Sequence, residues 1–302
     1  MKHYQSFNDY LRARYGGRVQ KVMVDAGFSC PNRDGTKAIG GCIYCNNESF
    51  NFSPATPVED QIAQGIESAK RRYKAARFFV YFQAYSNTYA DPDTLHKHYS
   101  AILQFPEVVG LTIGTRPDCV PEEALAVIES FTRSHEVWIE YGLESSNDDS
   151  LRRMNRAHTF AEFQDAVLRT QNRGIKIATH IIAGFPWETE EVMLQTARDV
   201  ALLPVDGIKI HSLHIVKGTA LEWMHERSPF QLLTLDGYAC LVAKMLELLP
   251  PSMVIHRLTA DCPESLLIAP DWTNRKTEIL AAVEATLTSR DSYQGRLYRE
   301  AL

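Results

Sequence analysis

No run of about 18 apolar residues occurs in the 302-residue chain, so no segment reads as a membrane span. The opening stretch, MKHYQSFNDYLRARYGGR, lacks the apolar core of a secretory leader. Both absences predict a cytoplasmic protein with no membrane partner, in a compartment where thiols stay reduced. Neither sign of charge dominates. The 32 Lys and Arg residues against 37 Asp and Glu leave a net charge of −5, which excludes global attraction to nucleic acid but not a local basic face. There is no nucleophile–base signature, no phosphate loop and no dinucleotide fingerprint, so the commonest hydrolase, kinase and dehydrogenase classes have no support. Cysteine is scarce, with six residues, yet three of them fall within one short stretch. In a reducing compartment such clustering points to metal or redox chemistry rather than to a disulfide framework.

What is present is an ordinary apolar fraction, 45%, arranged with a regular alternation. Apolar, β-branched runs at Val19–Val24, Phe78–Phe82, Val108–Ile113, Val137–Tyr141, Lys176–Ile182 and Gly207–Leu213 read as strands. Helical periodicity falls between them at Val58–Tyr73, Pro121–Phe131, Thr159–Gln171 and Glu188–Leu203. Six β–α units imply parallel strands with right-handed crossovers, two units short of a closed eight-fold barrel. The predicted class is α/β, a partial (β/α)6 TIM-like barrel; an open doubly wound sheet shares the same local signature. Either way, ligands belong at the carboxyl ends of the strands. After about Thr219 the rhythm changes. Leu232–Leu249 and Thr273–Thr288 read as helices and Met253–Leu258 as a strand. Residues 1–218 are therefore expected to form the core barrel with an N-terminal extension, and residues 219–302 a C-terminal extension packing on it.

The clustered thiols are Cys30, Cys42 and Cys45, spaced C-x11-C-x2-C directly after the first strand. Gly35, Gly40 and Gly41 let that loop fold closely around a bulky group. Three thiolates leave one iron of a [4Fe–4S] cube without a protein ligand. S-adenosyl-L-methionine (SAM) would chelate that iron through its amino and carboxylate groups, with the Tyr44 ring beside its adenine. A structural zinc site also uses C-x2-C but needs a fourth ligand, which no second C-x2-C or H-x3-H pair supplies. Unrelated buried cysteines are the third reading.

The order of further strings resembles the radical SAM superfamily, and within it the YhcC-like branch related to the Elongator catalytic subunit. The strings are GFSCPNRDG (Gly27–Gly35), GGCIYC (Gly40–Cys45), YFQAYSNTYA (Tyr81–Ala90), GTRPDC (Gly114–Cys119), GLES (Gly142–Ser145), NRAH (Asn155–His158), GFPWE (Gly184–Glu188) and KIHSLHIVKGT (Lys209–Thr219). They span Arg14 to Trp272. Two departures stand out: the first cysteine gap is eleven residues rather than the superfamily's usual three, and Glu144 stands where relatives often carry glutamine.

The resemblance implies a barrel of the radical SAM type, a [4Fe–4S] cluster on Cys30, Cys42 and Cys45, and SAM as cofactor. It assigns Gln83, Ala84 and Tyr85 to the SAM amino group through backbone carbonyls. Glu140 and Glu144 are assigned to the ribose and methionine ends, and His180 and Gly184 to the fifth strand and the turn against adenine. Arg156 is the expected partner of the SAM carboxylate, since a guanidinium fork matches a carboxylate; the bland reading is a solvated helix-end arginine. Arg116 and Asp118 are expected to be structural or substrate-facing. Lys209 and His211 share one strand face, while His214 has the opposite parity. These three, with Lys217, divide between substrate contacts and structure. Arg257, in the closing HRLTADC string (His256–Cys262), would shape the substrate entrance, and Cys262 is either a hydrogen-donor thiol or an inert buried one.

Kinship with the Elongator subunit also implies tRNA as substrate, through modification of the wobble-uridine side chain. It further implies flavodoxin or ferredoxin as electron donor and a downstream modification enzyme as partner. A basic cluster of Lys70, Arg71, Arg72, Lys74 and Arg77 is the local support for RNA, although such a run is usually a solvated face. A small-metabolite substrate and a non-catalytic zinc-binding barrel are the competing readings.

Overall fold

Strands built from Val, Ile and Phe can pair in parallel only if each is followed by a crossover long enough to return the chain. The computed structural model, which describes residues 2–46 and 56–299, shows how these crossovers are made. In chain order the elements are α1 (Phe7–Tyr15), β1 (Val19–Val24), α2 (Val58–Tyr73), β2 (Arg77–Phe82), α3 (Pro92–Ser100), β3 (Val108–Thr115), α4 (Glu122–Ser130) and β4 (Glu136–Glu144). There follow α5 (Asp148–Arg153), α6 (Phe160–Thr170), β5 (Lys176–Ala183), α7 (Glu190–Ala201), β6 (Gly207–Ser212), β7 (Ile215–Val216), α8 (Ala220–Arg227), α9 (Leu235–Leu248), β8 (Val254–Arg257), β9 (Leu267–Ala269) and α10 (Lys276–Ser289).

The main sheet runs β1-β2-β3-β4-β5-β6-β8, every pairing parallel. The α/β partial barrel read from the sequence is present, with all six expected strands, and β8 from the C-terminal region adds a seventh. The sheet curls, because side chains from its two edges meet over its middle. Lys21 on β1 and His256 on β8 both reach Glu140 on β4. Helices cover the outer face through apolar stripes such as Val58, Ile62, Ile66 and Ala69 of α2.

Four helices are absent from the sequence reading, α1, α3, α5 and α8, and the first two have clear starts: Ser6 accepts from the Asp9 amide, and Asp91 from the Thr94 amide, with a first-turn proline after it. Helix α1 matters for the site. It lies beside both edge strands and plugs the amino end of the barrel with Phe7 and Leu11, packed on Val19, Phe79, Trp138, Ala178 and Val254. Phe7 stacks on His256 at 4.0 Å and meets Trp138 edge-on at 5.6 Å. This apolar plug leaves the barrel interior open only toward the carboxyl ends of the strands.

Candidate functional site

The loop after β1 carries the three cysteines, and its shape follows from backbone bonds and two asparagines. Arg33 N donates to Cys30 O (2.8 Å) and Gly41 N to Asn32 O (2.8 Å). Gly40 and Gly41 take φ of 85° and 77°, a region in which an L side chain is strained. Asn32, fully buried, donates to the carbonyls of Asn155 (2.6 Å) and Arg156 (3.2 Å), while Asn155 Nδ2 donates back to Gly41 O (2.8 Å). The cysteine loop is thus stapled to the turn carrying Arg156. Neither asparagine was singled out from the sequence; the signal available was their place inside the GFSCPNRDG and NRAH strings.

All three cysteines open on one cavity of about 210 Å³ at the barrel mouth. Among the described residues, no three His, Cys, Asp or Glu side chains draw together tightly enough for a single metal ion. None of the six cysteines forms a disulfide. Burial, and then the neighbouring sulfurs of Cys42 and Cys30, push the Cys45 thiol up to about 12.

The wall beside the cysteines holds Tyr44, Gln83, Tyr85, Glu144 and Arg156. Arg156 is buried. Its Nη2 donates to Gly142 O (2.6 Å) and lies 3.4 Å from Glu144 Oε1, while Nη1 donates to the Cys42 sulfur (3.6 Å). Its Nε is buried without a partner. Tyr85 and Glu144 both adopt positive φ, 62° and 72°, which costs on the order of 1–3 kcal/mol each and is concentrated at functional sites. Gly142 permits this arrangement, since a Cβ there would sit 2.5 Å from Arg156 Nη2 and 2.7 Å from Glu144 Oε1. Gly142→Ala is expected to displace that pair and destabilise the protein by about 1–3 kcal/mol. Denaturant unfolding measures this, and a change below about 0.5 kcal/mol, the level of an ordinary surface substitution, would contradict it.

Deeper in the cavity, one carboxylate collects four partners. Glu140, fully buried, receives Lys21 Nζ at 3.1 Å and His180 Nε2 at 3.0 Å, lies against Lys209 Nζ, and has His256 Nδ1 at 3.4 Å. Burial alone would raise its carboxyl, but Lys209 and Lys21, then bonds from His180 and His256, hold it well below the usual range. Desolvation lowers Lys209 to about 7 against the pull of Glu140, with Lys21 and Arg257 pushing the same way as burial. His180 falls to about 4 and His256 to about 3, chiefly through burial, so both are neutral at pH 7. Glu140 was expected to face the ribose; its oxygens are instead engaged by Lys21, Lys209 and His180. Tyr81, whose hydroxyl oxygen accepts from Lys209 Nζ at 3.2 Å, is a cavity residue that the sequence reading missed. Alternation along β2 would have found it, because it shares the parity of Gln83.

Arg116 lines the cavity with Nη1 unpartnered, its fork held by Asp118 through two 2.9 Å bonds. Asp118 itself faces away, toward Lys37 at 2.7 Å. His211 and Arg257 complete the wall, whereas His214 lines an adjoining cavity with Tyr44, Cys45 and Glu144. Ala84, Gly184 and Lys217 line neither. Gly184 has its absent Cβ toward Leu233 and Leu213, and Lys217 pairs by backbone with Leu266. Cys262 and Cys119 are buried.

The basic cluster requires a correction. Lys70, Arg71, Arg72 and Lys74 end α2, and Arg77 starts β2, which puts them at the amino end of the barrel, opposite the cavity. Lys70 pairs with Glu107 (2.6 Å), Arg71 with Glu67 (3.4 Å), and Arg77 donates to the Tyr15 carbonyl. The run is a surface feature of the closed end and lends no support to RNA at the mouth. Nor is any described helix long and apolar enough to cross a membrane.

Comparison with known proteins adds a family to this geometry. Residues 30–200 match the profile of the radical SAM superfamily, and residues 205–289 that of the radical SAM C-terminal domain. The chain is 38% identical to YtqA of Bacillus subtilis over 301 residues, covering 99% of this chain and 94% of that protein. Its identity to YhcC of Escherichia coli is also 38%, covering 89% and 87%. More distantly, it is 31% identical over 168 residues to tRNA uridine(34) acetyltransferase of Dehalococcoides mccartyi, covering 53% of this chain and 35% of that protein. Among solved structures, Elp3 of Methanocaldococcus infernus shares the fold, with a TM-score of 0.70 at 16% identity, covering 91% of this chain and 64% of that one.

Proposed function

This chain belongs to the radical SAM superfamily, and from that membership we infer an enzyme that modifies the side chain of a wobble uridine in tRNA. The observation that carries the chemistry is one cavity lined jointly by Cys30, Cys42, Cys45, Arg156 and Glu144. The residues fit a [4Fe–4S] cluster with SAM. Three thiols share one wall of the cavity, and Arg156 beside them keeps an orphaned Nε. The chemistry supplied by the bound pair is one-electron cleavage of SAM at a reduced [4Fe–4S] cluster to methionine and a 5′-deoxyadenosyl radical that takes a hydrogen atom from the substrate.

The chain's own residues bind and orient. Cys30, Cys42 and Cys45 would hold three irons of the cluster, and Arg156 would meet the SAM carboxylate, where a charge-assisted bond contributes about 1.5–3 kcal/mol. Tyr44 would lie beside adenine and Gln83 and Tyr85 near the amino group, all three from the cavity wall. Glu144, already 3.4 Å from Arg156, faces the ribose. His180 helps hold Glu140, and Lys209, His211 and Arg257 face the substrate. The apolar plug of α1 keeps water from the amino end.

Support for tRNA is the likeness to tRNA uridine(34) acetyltransferase. Two measurements separate the parts of this reading. Anaerobic protein reconstituted with iron and sulfide, then given SAM and dithionite, is expected to form 5′-deoxyadenosine and methionine; zinc at the thiols and no nucleoside product would end the cofactor reading. Mass spectrometry of tRNA nucleosides is expected to show a wobble-uridine derivative that changes when the gene is deleted. An unchanged profile would end the tRNA reading alone.

A further inference from the structure

Among the described residues, the inner end of the cavity gathers more cationic side chains than carboxylates. Lys21 and Lys209 share one carboxylate, Glu140, and Arg257 stands beside them as a third cation. Glu144, the other carboxylate of the cavity wall, is paired with Arg156 at the far side. The Arg257 guanidinium has no salt-bridge or hydrogen-bond partner among the described residues, and its nitrogens open onto the cavity. Half-buried charges without partners are costly, and folded proteins normally pair them.

Arg257 points inward because of a local irregularity. β8 pairs with β6 as Ile208↔Ile255 and then Lys209↔Arg257, so one residue, His256, is bulged out of register. A regular strand would send residues 256 and 257 to opposite faces. The bulge sends both inward: His256 stacks on Phe7 and meets Glu140, while Arg257 comes level with Lys209 in the cavity wall. Bulges commonly re-aim a side chain at a working site. His211, in the same wall, adds a buried Nε2 that also lacks a partner.

We propose that Arg257, with Lys209 beside it, forms a subsite for an anionic oxygen group carried by the substrate, a carboxylate or a phosphate. The proposal deepens the reading of this cavity as the substrate chamber and rests on it. The SAM carboxylate is assigned to Arg156, which lies against Cys42, whereas Arg257 stands in register with Lys209. An arriving anion would give Lys209 a second negative neighbour and keep its ammonium charged. A guanidinium fork matches a carboxylate or a phosphate in two parallel bonds.

The test uses oxidised, cluster-loaded protein saturated with SAM, so that Arg156 is already engaged. Acetate and inorganic phosphate are titrated separately against the wild type, Arg257→Gln and Arg257→Lys, following thermal stabilisation. The wild type is expected to respond to at least one probe, with roughly 10- to 100-fold weaker binding in Arg257→Gln and partial recovery in Arg257→Lys. A response to acetate alone identifies a carboxylate subsite, and one to phosphate alone a phosphate subsite. Without added anion, Arg257→Gln is expected to melt at or above the wild-type temperature, because it removes an unpaired cation facing Lys209. Equal binding by wild type and Arg257→Gln, binding of neither probe by wild type, or a marked loss of stability in anion-free Arg257→Gln would overturn the proposal. Failure of the underlying reading shows separately, as wild-type protein that forms no 5′-deoxyadenosine.

Discussion

Replacing any one of Cys30, Cys42 and Cys45 by alanine is expected to reduce the iron and sulfide content and the 5′-deoxyadenosine yield of the reconstituted protein to background. The loss should be complete because the cube has no spare protein ligand: with two thiolates, two irons lack protein sulfur. The fold should survive. The loop around these thiols is held by the Asn32 and Asn155 bonds and by Ile43 N donating to Met154 O at 3.0 Å, none of which involves a cysteine side chain. Cys119→Ser, Cys240→Ser and Cys262→Ala serve as controls and should retain full iron content, since none of these cysteines lines the cavity. Iron analysis with visible absorbance measures the effect. Retention of a full cluster by any of the three alanine variants would mean that another residue holds an iron.

Glu140→Gln should be the most destabilising single change in the barrel interior, by about 3–5 kcal/mol, because it leaves Lys21 and Lys209 facing each other without a carboxylate. Each kcal/mol lowers the melting temperature by roughly 2–4 °C in a chain of this order of size. Adding Lys209→Met should recover part of the loss, and the coupling in that double-mutant cycle tests the contact itself. The pH dependence has a definite sign on each side. The Glu140 carboxyl lies well below its ordinary value, so its stabilisation is complete above about pH 4.5 and is lost as pH falls; the Gln variant lacks that acid-side loss. Lys209 is lowered from 10.5 to about 7, so the unfolded chain binds its proton more readily. Stability therefore falls as pH drops from 10.5 toward 7, and Lys209→Met should flatten that slope. Denaturant unfolding across pH measures both. A Gln variant as stable as the wild type would mean that this cluster is solvated.

Reading the sequence recovered the elements that carry their own signature. β1 and α2 have the expected ends because apolar spacing changes abruptly there. The cysteine loop was visible for the same reason, since spacing, glycines and position after a strand are all local. The misplaced expectation for the basic cluster was avoidable in principle: in a β–α unit the helix runs back, so its carboxyl end lies at the amino end of the next strand. Tyr81 was missed because attention stayed on the end of β2, where the chain leaves the sheet, rather than on the alternation inside it.

Other features depend on residues far apart in the chain. Nothing near Glu140 announces that Lys21 from β1 and His256 from β8 will reach it, because only the curl of the sheet brings its two edges over its centre. Nothing near Arg257 announces a bulge, because register is a relation between two strands. The amino-acid order alone determined the class, the six strands of the barrel and the clustering of three cysteines after the first of them, all of which follow from short-range periodicity and spacing. Tertiary structure alone decided which charges meet inside the barrel and which one has no partner among the described residues, since burial and pairing arise only when distant segments enclose the same space.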